Sequence, residues 1–178
     1  MFGVILGTGC GGGLVHHGQL ITGPRRTGGE WGHNPLPWPT DEECPGPNCW
    51  CGRTSCLETW VSGPGFSADH RRRTGDTLSV PEIVQAASSG DEASVETRDR
   101  HAERLARGLA QVANIFDPDV IVLGGGLSKL SHLYEVLPAL MAPYIFTDTP
   151  TITIKPPRWG DASGVRGAAR LWDNAEGI

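Results

Sequence analysis

Three cysteines and a histidine carry the clearest chemistry in the sequence. Cys49, Cys51 and Cys56 follow the spacing Cys-x-Cys-x4-Cys, with His33 ahead of them. Three thiolates and an imidazole are a donor set suited to tetrahedral Zn²⁺. The alternative is a group of buried, reduced thiols beside a surface histidine, and the clustering argues against it. Cys44 competes for one ligand position, whereas Cys10 reads as a small residue in a glycine turn. Two carboxylates flank the same stretch: Glu30, in Glu30-Trp31-Gly32-His33, and Glu58. An ionised carboxylate accepts hydroxyl donors on both oxygens, which suits a sugar. Taken alone, the two acids read equally as solvated loop residues.

Two glycine-rich segments are the next candidates. Gly7-Thr8-Gly9-Cys10-Gly11-Gly12-Gly13 follows the strand-like Val4-Ile5-Leu6. A dinucleotide-binding turn must open a helix, and this one opens a strand; a Walker loop needs Gly-Lys-Ser/Thr, and no lysine is present. What remains is a hairpin turn whose bare N–H groups, with the Thr8 hydroxyl, can face an anion, or a tight turn that simply needs positive φ. The second segment, Gly124-Gly125-Gly126, ends the apolar run Val120-Ile121-Val122-Leu123. Bare backbone at the carboxyl edge of a sheet is where ligands of open α/β folds bind, though a generic strand–helix loop looks the same. His16 and His17 read as a hairpin tip, and Asp161 as a helix cap.

These residues need elements to position them. Residues 3–22 read as strand, glycine turn, strand, with a turn at His17-Gly18. Residues 23–57 have no helical period and hold several prolines, and four of the six tryptophans lie between 31 and 60. A loop of that length is usually functional and needs something besides apolar packing to order it. Ser62 caps a helix ending at Thr74-Gly75, and Ser79-Val80-Pro81-Glu82 opens another that closes at Ser89-Gly90. Val95, Ala102, Leu105, Leu109, Val112, Ala113 and Phe116 form one apolar face of a long helix stopped by Asp117-Pro118. A strand over 119–123 follows, buried on both faces, then a helix over about 131–142 and a strand over 151–154. A last helix runs through Ala168, Ala169, Leu171 and Trp172, capped by Asp161 or Ser163. The order implies an α/β fold with a mixed sheet.

The 178 residues fit one domain, with net charge −5 and 38% hydrophobic residues. The acidic balance argues against nucleic acid, and Arg71-Arg72-Arg73 reads as a solvated helix end. No apolar run reaches a membrane span and no secretory signal opens the chain, so the expected location is cytoplasmic. Of the five cysteines, three lie within Cys49 to Cys56, and reducing conditions favour metal over disulfide for that cluster. The strand-like Gly3-Val4-Ile5-Leu6 comes abruptly and suggests a truncated start.

Taken in order, four motifs resemble the repressor–ORF–kinase (ROK) family of sugar kinases. They are Leu6-Gly7-Thr8-Gly9-Cys10-Gly11-Gly12-Gly13, Gly29 to Pro37, Cys49-Trp50-Cys51-Gly52-x3-Cys56-Leu57-Glu58, and Asp117 to Gly126. The match spans nearly the whole chain and is similar to the family's C-terminal half. Trp31 and the run Asn34-Pro35-Leu36-Pro37-Trp38 look most like its bacterial fructokinase or mannokinase branch. The resemblance implies one lobe, residues 1–178, of the actin-like, ribonuclease-H-like ATPase fold, with a zinc and sugar loop over about 23–58. It implies that Glu30, His33 and Glu58 contact the hexose, and that His33, Cys49, Cys51 and Cys56 hold a structural zinc. Thr8 and Gly9 would approach the ATP phosphates, and Gly124, Gly125 and Gly126 the adenosine side. ATP, Mg²⁺ and Zn²⁺ are the implied cofactors, and the intact protein is expected to be a homodimer.

Two departures matter. Ser55 stands where the family usually has glycine, so its backbone is expected to be strained. The family's Asp-x-Gly-Gly-Thr phosphate motif and its Asn-Asp pair, whose aspartate is the general base, are not in these 178 residues. No catalytic base is therefore expected in this chain, and the chain alone is expected to be inert. For the intact protein the resemblance implies ATP-dependent phosphorylation of fructose. Its alternatives are a kinase for N-acetylglucosamine, N-acetylmannosamine or glucose, or the effector-binding half of a ROK transcriptional repressor. The sequence immediately upstream separates kinase from repressor: a strand–turn with Asp-x-Gly-Gly-Thr, or a basic helical module.

Overall fold

The computed structural model describes residues 1–160 and 163–170. Five strands form one sheet: β1 (Phe2–Leu6), β2 (Cys10–His16), β3 (Gln19–Ile21), β4 (Ile121–Gly124) and β5 (Ile154–Lys155), in the order β3-β2-β1-β4-β5. β1 runs antiparallel to β2 and parallel to β4, so the sheet is mixed. Phe2, Val4 and Leu6 are buried and alternate along β1, while Ile121 and Leu123 do the same beside them in β4.

The turn after β1 is shorter than its glycine content suggests. It is confined to Gly7–Gly9, and Gly11, Gly12 and Gly13 already lie in β2. These glycines make room rather than bend the chain. A Cβ on Gly12 would stand 2.7 Å from the Phe2 ring, and one on Gly29 would overlap the Gly12 carbonyl. The loop after β3 therefore lies directly on the backbone of β2. The last strand is also displaced from the expected 151–154. Ile121 N–H donates to Thr153 O at 2.9 Å, but the ladder proper is Ile154–Lys155. Pro150 before it and Pro156-Pro157 after it have no N–H to donate.

The helices are α1 (Glu58–Val61), α2 (Gly63–Thr74), α3 (Val80–Ser88), α4 (Glu92–Phe116), α5 (Ser131–Met141) and α6 (Ser163–Ala169). Ser62 Oγ accepts the Gly65 N–H at 3.2 Å to start α2, and left-handed Gly75 ends it. Ser79 and Glu82 make a capping box for α3. α4 ends at Asp117, whose φ of +44° precedes Pro118. Its buried Leu105, Ala106, Leu109 and Ala110 join the sheet, α2, α3 and α5 in one core. Each fully buried leucine there contributes roughly 2 kcal/mol. Among the described residues no helix is long and apolar enough to cross a membrane. Asp161, Leu171 and Trp172, assigned to the last helix from the sequence, lie outside the described residues.

α4 also holds a pH-sensitive group. His101 is buried, stacked on Phe66 with ring centroids 4.3 Å apart, and its Nε2–H donates to Val61 O at 3.0 Å. Burial holds the imidazole pKa down, from 6.5 to about 4. The unfolded chain thus binds a proton near pH 6.5 that the native chain refuses until about 4. The stability present above pH 6.5 is lost as pH falls through that window, by about 3 kcal/mol. Denaturant unfolding at pH 7 and pH 4.5 should show this loss, and His101→Leu should flatten it.

Candidate functional site

The loop that carries the cysteines is tied into a compact knot by its own backbone. Leu36 N–H donates to Ser55 O at 2.9 Å and Leu57 N–H to Asn34 O at 2.8 Å, which brings His33 beside Cys56. Cys49 N–H donates to Arg53 O at 2.7 Å and Gly52 N–H to Cys49 O at 3.0 Å, folding the Cys49–Cys51 arm back on itself. His33 ends a 3₁₀ turn, Trp31–His33, pressed on β2. A Cβ on Gly32 would overlap the Cys10 carbonyl, and the buried Trp31 meets Phe2 edge-on at 5.5 Å. Ser55 takes the strained backbone expected of it, with φ +58°, and its Oγ accepts the Trp60 indole N–H at 3.3 Å.

This folding gathers the four donors. His33 Nδ1 lies 3.6 Å from Cys49 Sγ, Cys51 Sγ lies 3.6 Å from Cys56 Sγ, and all four donor atoms are within 4.8 Å of one another. A tetrahedron around zinc has ligand–ligand edges of roughly 3.5–3.8 Å for thiolate and imidazole donors. Cys44 is exposed and outside the group, and Cys10 is buried at the start of β2. The thiols also compete for ionisation. Hydrogen bonding, first from the Arg53 backbone N–H, holds Cys51 down to about 6, while burial and the neighbouring sulfurs push Cys56 up to about 12. A divalent cation among them would reverse that penalty and let all three bind as thiolates.

Glu58, at the start of α1, joins this knot to the glycine turn. Its Oε2 accepts the Cys10 backbone N–H at 2.9 Å and its Oε1 accepts the Trp50 indole N–H at 2.8 Å. A Cβ on Gly9 would stand 2.9 Å from Glu58 Oε2 and push the carboxylate off this position. Trp50 stands edge-on to the His33 ring at 5.0 Å yet is 82% exposed. Glu30 is exposed at the entry to the 3₁₀ turn, three residues before His33, and is not drawn into the same hydrogen-bonded group.

Two cavities adjoin the glycine turn. One, of about 270 Å³, is lined by Thr8, Asn48, Cys49, Trp50 and Glu58 among others. The second, of about 740 Å³, lies between Gly7-Thr8, Gly63-Pro64, Val80 and Val84 of α3, and Gly126-Leu127. Thr8 lines both. Of the second glycine run only Gly126 faces the cavity. Gly124 stays in β4, and Gly125, with φ +79°, packs on the Leu6 carbonyl, where a Cβ would overlap it. Sequence reasoning missed Gly63-Pro64 and the α3 wall. The Gly-Pro step after the Ser62 cap was the available signal: Gly63 N–H donates to Gly7 O at 2.8 Å. Nothing in the α3 pattern separates a wall residue such as Val84 from an ordinary core residue.

The model of the ROK family matches residues 1–175. The chain belongs to the ROK family. An N-acetyl-D-glucosamine kinase of Pasteurella multocida (strain Pm70) is 37% identical over 177 residues, covering 97% of this chain and 58% of its own length. Among solved structures, the ROK hexokinase from Thermus thermophilus superimposes with a TM-score of 0.81 at 30% identity, over 96% of this chain and 56% of its own. A ROK family glucokinase from Streptomyces griseus, solved with glucose and AMPPNP, gives 0.82 at 25% identity, over 96% and 59%. The chain thus spans a little over half the length of these ROK proteins, and its fold is one lobe of the actin-like ATPase architecture they share.

Proposed function

We propose that the intact protein transfers the γ-phosphoryl group of ATP to a hexose, with N-acetylglucosamine the preferred acceptor. The observation that carries this reading is Glu58. Its carboxylate is clamped between the glycine turn and the cysteine knot, at the wall of a cavity that shares Thr8 with a second, larger one. In this reading the smaller cavity receives the sugar and Glu58 and Glu30 accept its hydroxyls. His33, Cys49, Cys51 and Cys56 hold a structural zinc that keeps the sugar side rigid. Coordination through Nδ1 leaves the other ring nitrogen of His33 for a sugar hydroxyl. The larger cavity takes the nucleotide, with Thr8 and Gly9 in the turn at the phosphates and Gly126 at the adenosine side. Gly124 and Gly125 shape that edge from beneath. Magnesium bound with ATP supplies charge neutralisation as the phosphoryl group moves.

The run from Trp31 to Trp38 pointed to fructose. Relatives 37–38% identical over almost the whole chain are N-acetyl-D-glucosamine kinases, and they support the acetylated sugar instead. The aspartate that takes the hydroxyl proton is assigned to chain outside these 178 residues. The test is ADP release by the full-length protein with N-acetylglucosamine, N-acetylmannosamine, glucose, fructose and mannose. The highest kcat/KM is expected with N-acetylglucosamine. No ADP release with any of the five would overturn the reading, and turnover by the 178-residue chain alone would overturn the assignment of the base.

A further inference from the structure

We infer that the Arg107–Glu43 pair positions the hexose site, gripping the loop between His33 and Cys49 from α4 independently of any metal. The inference rests on the hexose-kinase reading above. Arg107 is the largest fully buried side chain among the described residues, 1% exposed in the body of α4. A guanidinium there is no better for stability than a hydrophobic side chain of similar volume. Its bonds show what it adds. Nη1 donates to Trp38 O at 2.6 Å, to Pro37 O at 3.3 Å and to Glu43 Oε2 at 2.9 Å. Nη2 donates to Glu43 Oε1 at 2.8 Å and to Glu103 Oε2 at 2.9 Å. Most of these acceptors belong to the irregular segment that leaves His33.

The grip extends to the other branch of the site. Glu43 also accepts Arg104 Nε–H at 2.7 Å, and closes its own 3₁₀ turn by accepting Thr40 N–H at 2.9 Å. The Arg104 guanidinium lies 4.4 Å above the Trp60 ring, two residues beyond Glu58 in α1. Its Nη1 lies 2.9 Å from Asp69 Oδ1 as an ion pair, off the hydrogen-bond axis. Trp38 holds a left-handed backbone, φ +47°, which a non-glycine residue keeps only when its surroundings impose it. The bond from Arg107 to its carbonyl is such a constraint. The Pro37 carbonyl lies four residues beyond His33. A slip at Pro37, Trp38 or Glu43 therefore disturbs both ends of that segment, His33 on one side and, on the other, Pro47 and Asn48 in the wall of the smaller cavity.

The decisive variant replaces the pair by apolar residues, Arg107→Met with Glu43→Leu, in the full-length protein. This removes the carbonyl donors, and Arg104, which loses Glu43, keeps its ion pair with Asp69. Zinc content should stay at the wild-type level and the KM for ATP within about twofold, while the KM for the hexose rises about tenfold or more. Arg107→Lys keeps the charge, loses the fork, and should show a smaller rise of the same kind. If the double variant does not fold, Arg107→Lys decides with the same readouts. A folded variant whose hexose KM stays within about twofold of wild type overturns the inference, as does an equal rise in both KM values, the mark of a general loss of structure. A wild-type protein inert with every hexose overturns the kinase reading and the inference with it; an active wild type with an unmoved variant overturns the inference alone.

Discussion

Cys51→Ser should strip the intact protein of its zinc and raise the hexose KM about a hundredfold. The wild-type protein, purified without chelator, should carry about one zinc per chain by elemental analysis. The reason lies in how little else holds the Cys49–Cys51 arm. It is tied by the Cys49–Arg53 and Gly52–Cys49 backbone bonds and by the Trp50 indole N–H on Glu58, and the Trp50 ring is otherwise largely exposed. Without metal, burial and the neighbouring sulfurs hold the Cys56 thiol protonated, and of the arm only Cys49 is buried to replace the lost bonds. Hydrogen exchange in Cys51→Ser should rise most over residues 44–57. It should rise less over 34–43, where Leu36 is buried and Arg107 still holds the Pro37 and Trp38 carbonyls. Wild-type protein free of zinc, or a Cys51→Ser protein with unaltered hexose KM, would remove the metal from the account.

Glu58→Gln should lower kcat/KM for the hexose by roughly 10²–10³-fold with zinc content unchanged. Both neighbours of the Glu58 carboxylate are donors, the Cys10 backbone N–H and the Trp50 indole N–H. An amide can accept through only one of its two heads, so the other turns N–H against N–H and the side chain must rotate. The negative charge that would draw sugar hydroxyls is lost in the same change. The ATP KM should move far less, since the cavity proposed for the nucleotide does not include this residue. Parallel steady-state titrations in hexose and in ATP check this, and a Glu58→Gln enzyme with wild-type hexose kinetics would exclude Glu58 from the sugar site.

Much of this architecture is legible in the residues. Caps at Ser62 and Ser79, the stop at Asp117-Pro118 and the three-and-four spacing of α4 depend on local chemistry, and the helices begin and end there. The candidate metal donors are legible because so few residue types serve as ligands. What the sequence hides is set by contacts distant along the chain. Gly12 looks like part of a turn because the Phe2 ring and the Gly3 carbonyl that need its bareness come from the neighbouring strand. Gly124, Gly125 and Gly126 look alike in a row, yet only the sheet decides which faces the cavity. Arg107 reads as a polar position on an amphipathic helix. Nothing nearby announces that Glu43, 64 residues away, waits to neutralise it.

Gly125 folded against the Leu6 carbonyl means that the loop after β4 and the turn after β1 cannot be exchanged one at a time. A chimaera that borrows the adenosine edge from a relative while keeping its own β1 turn would set a foreign loop on a native strand end. Any bulkier residue carried in at position 125 would collide with that strand. Recruiting a different phosphoryl donor by grafting would therefore require both segments to be transplanted as one piece, with the β1–β4 pairing carried over intact.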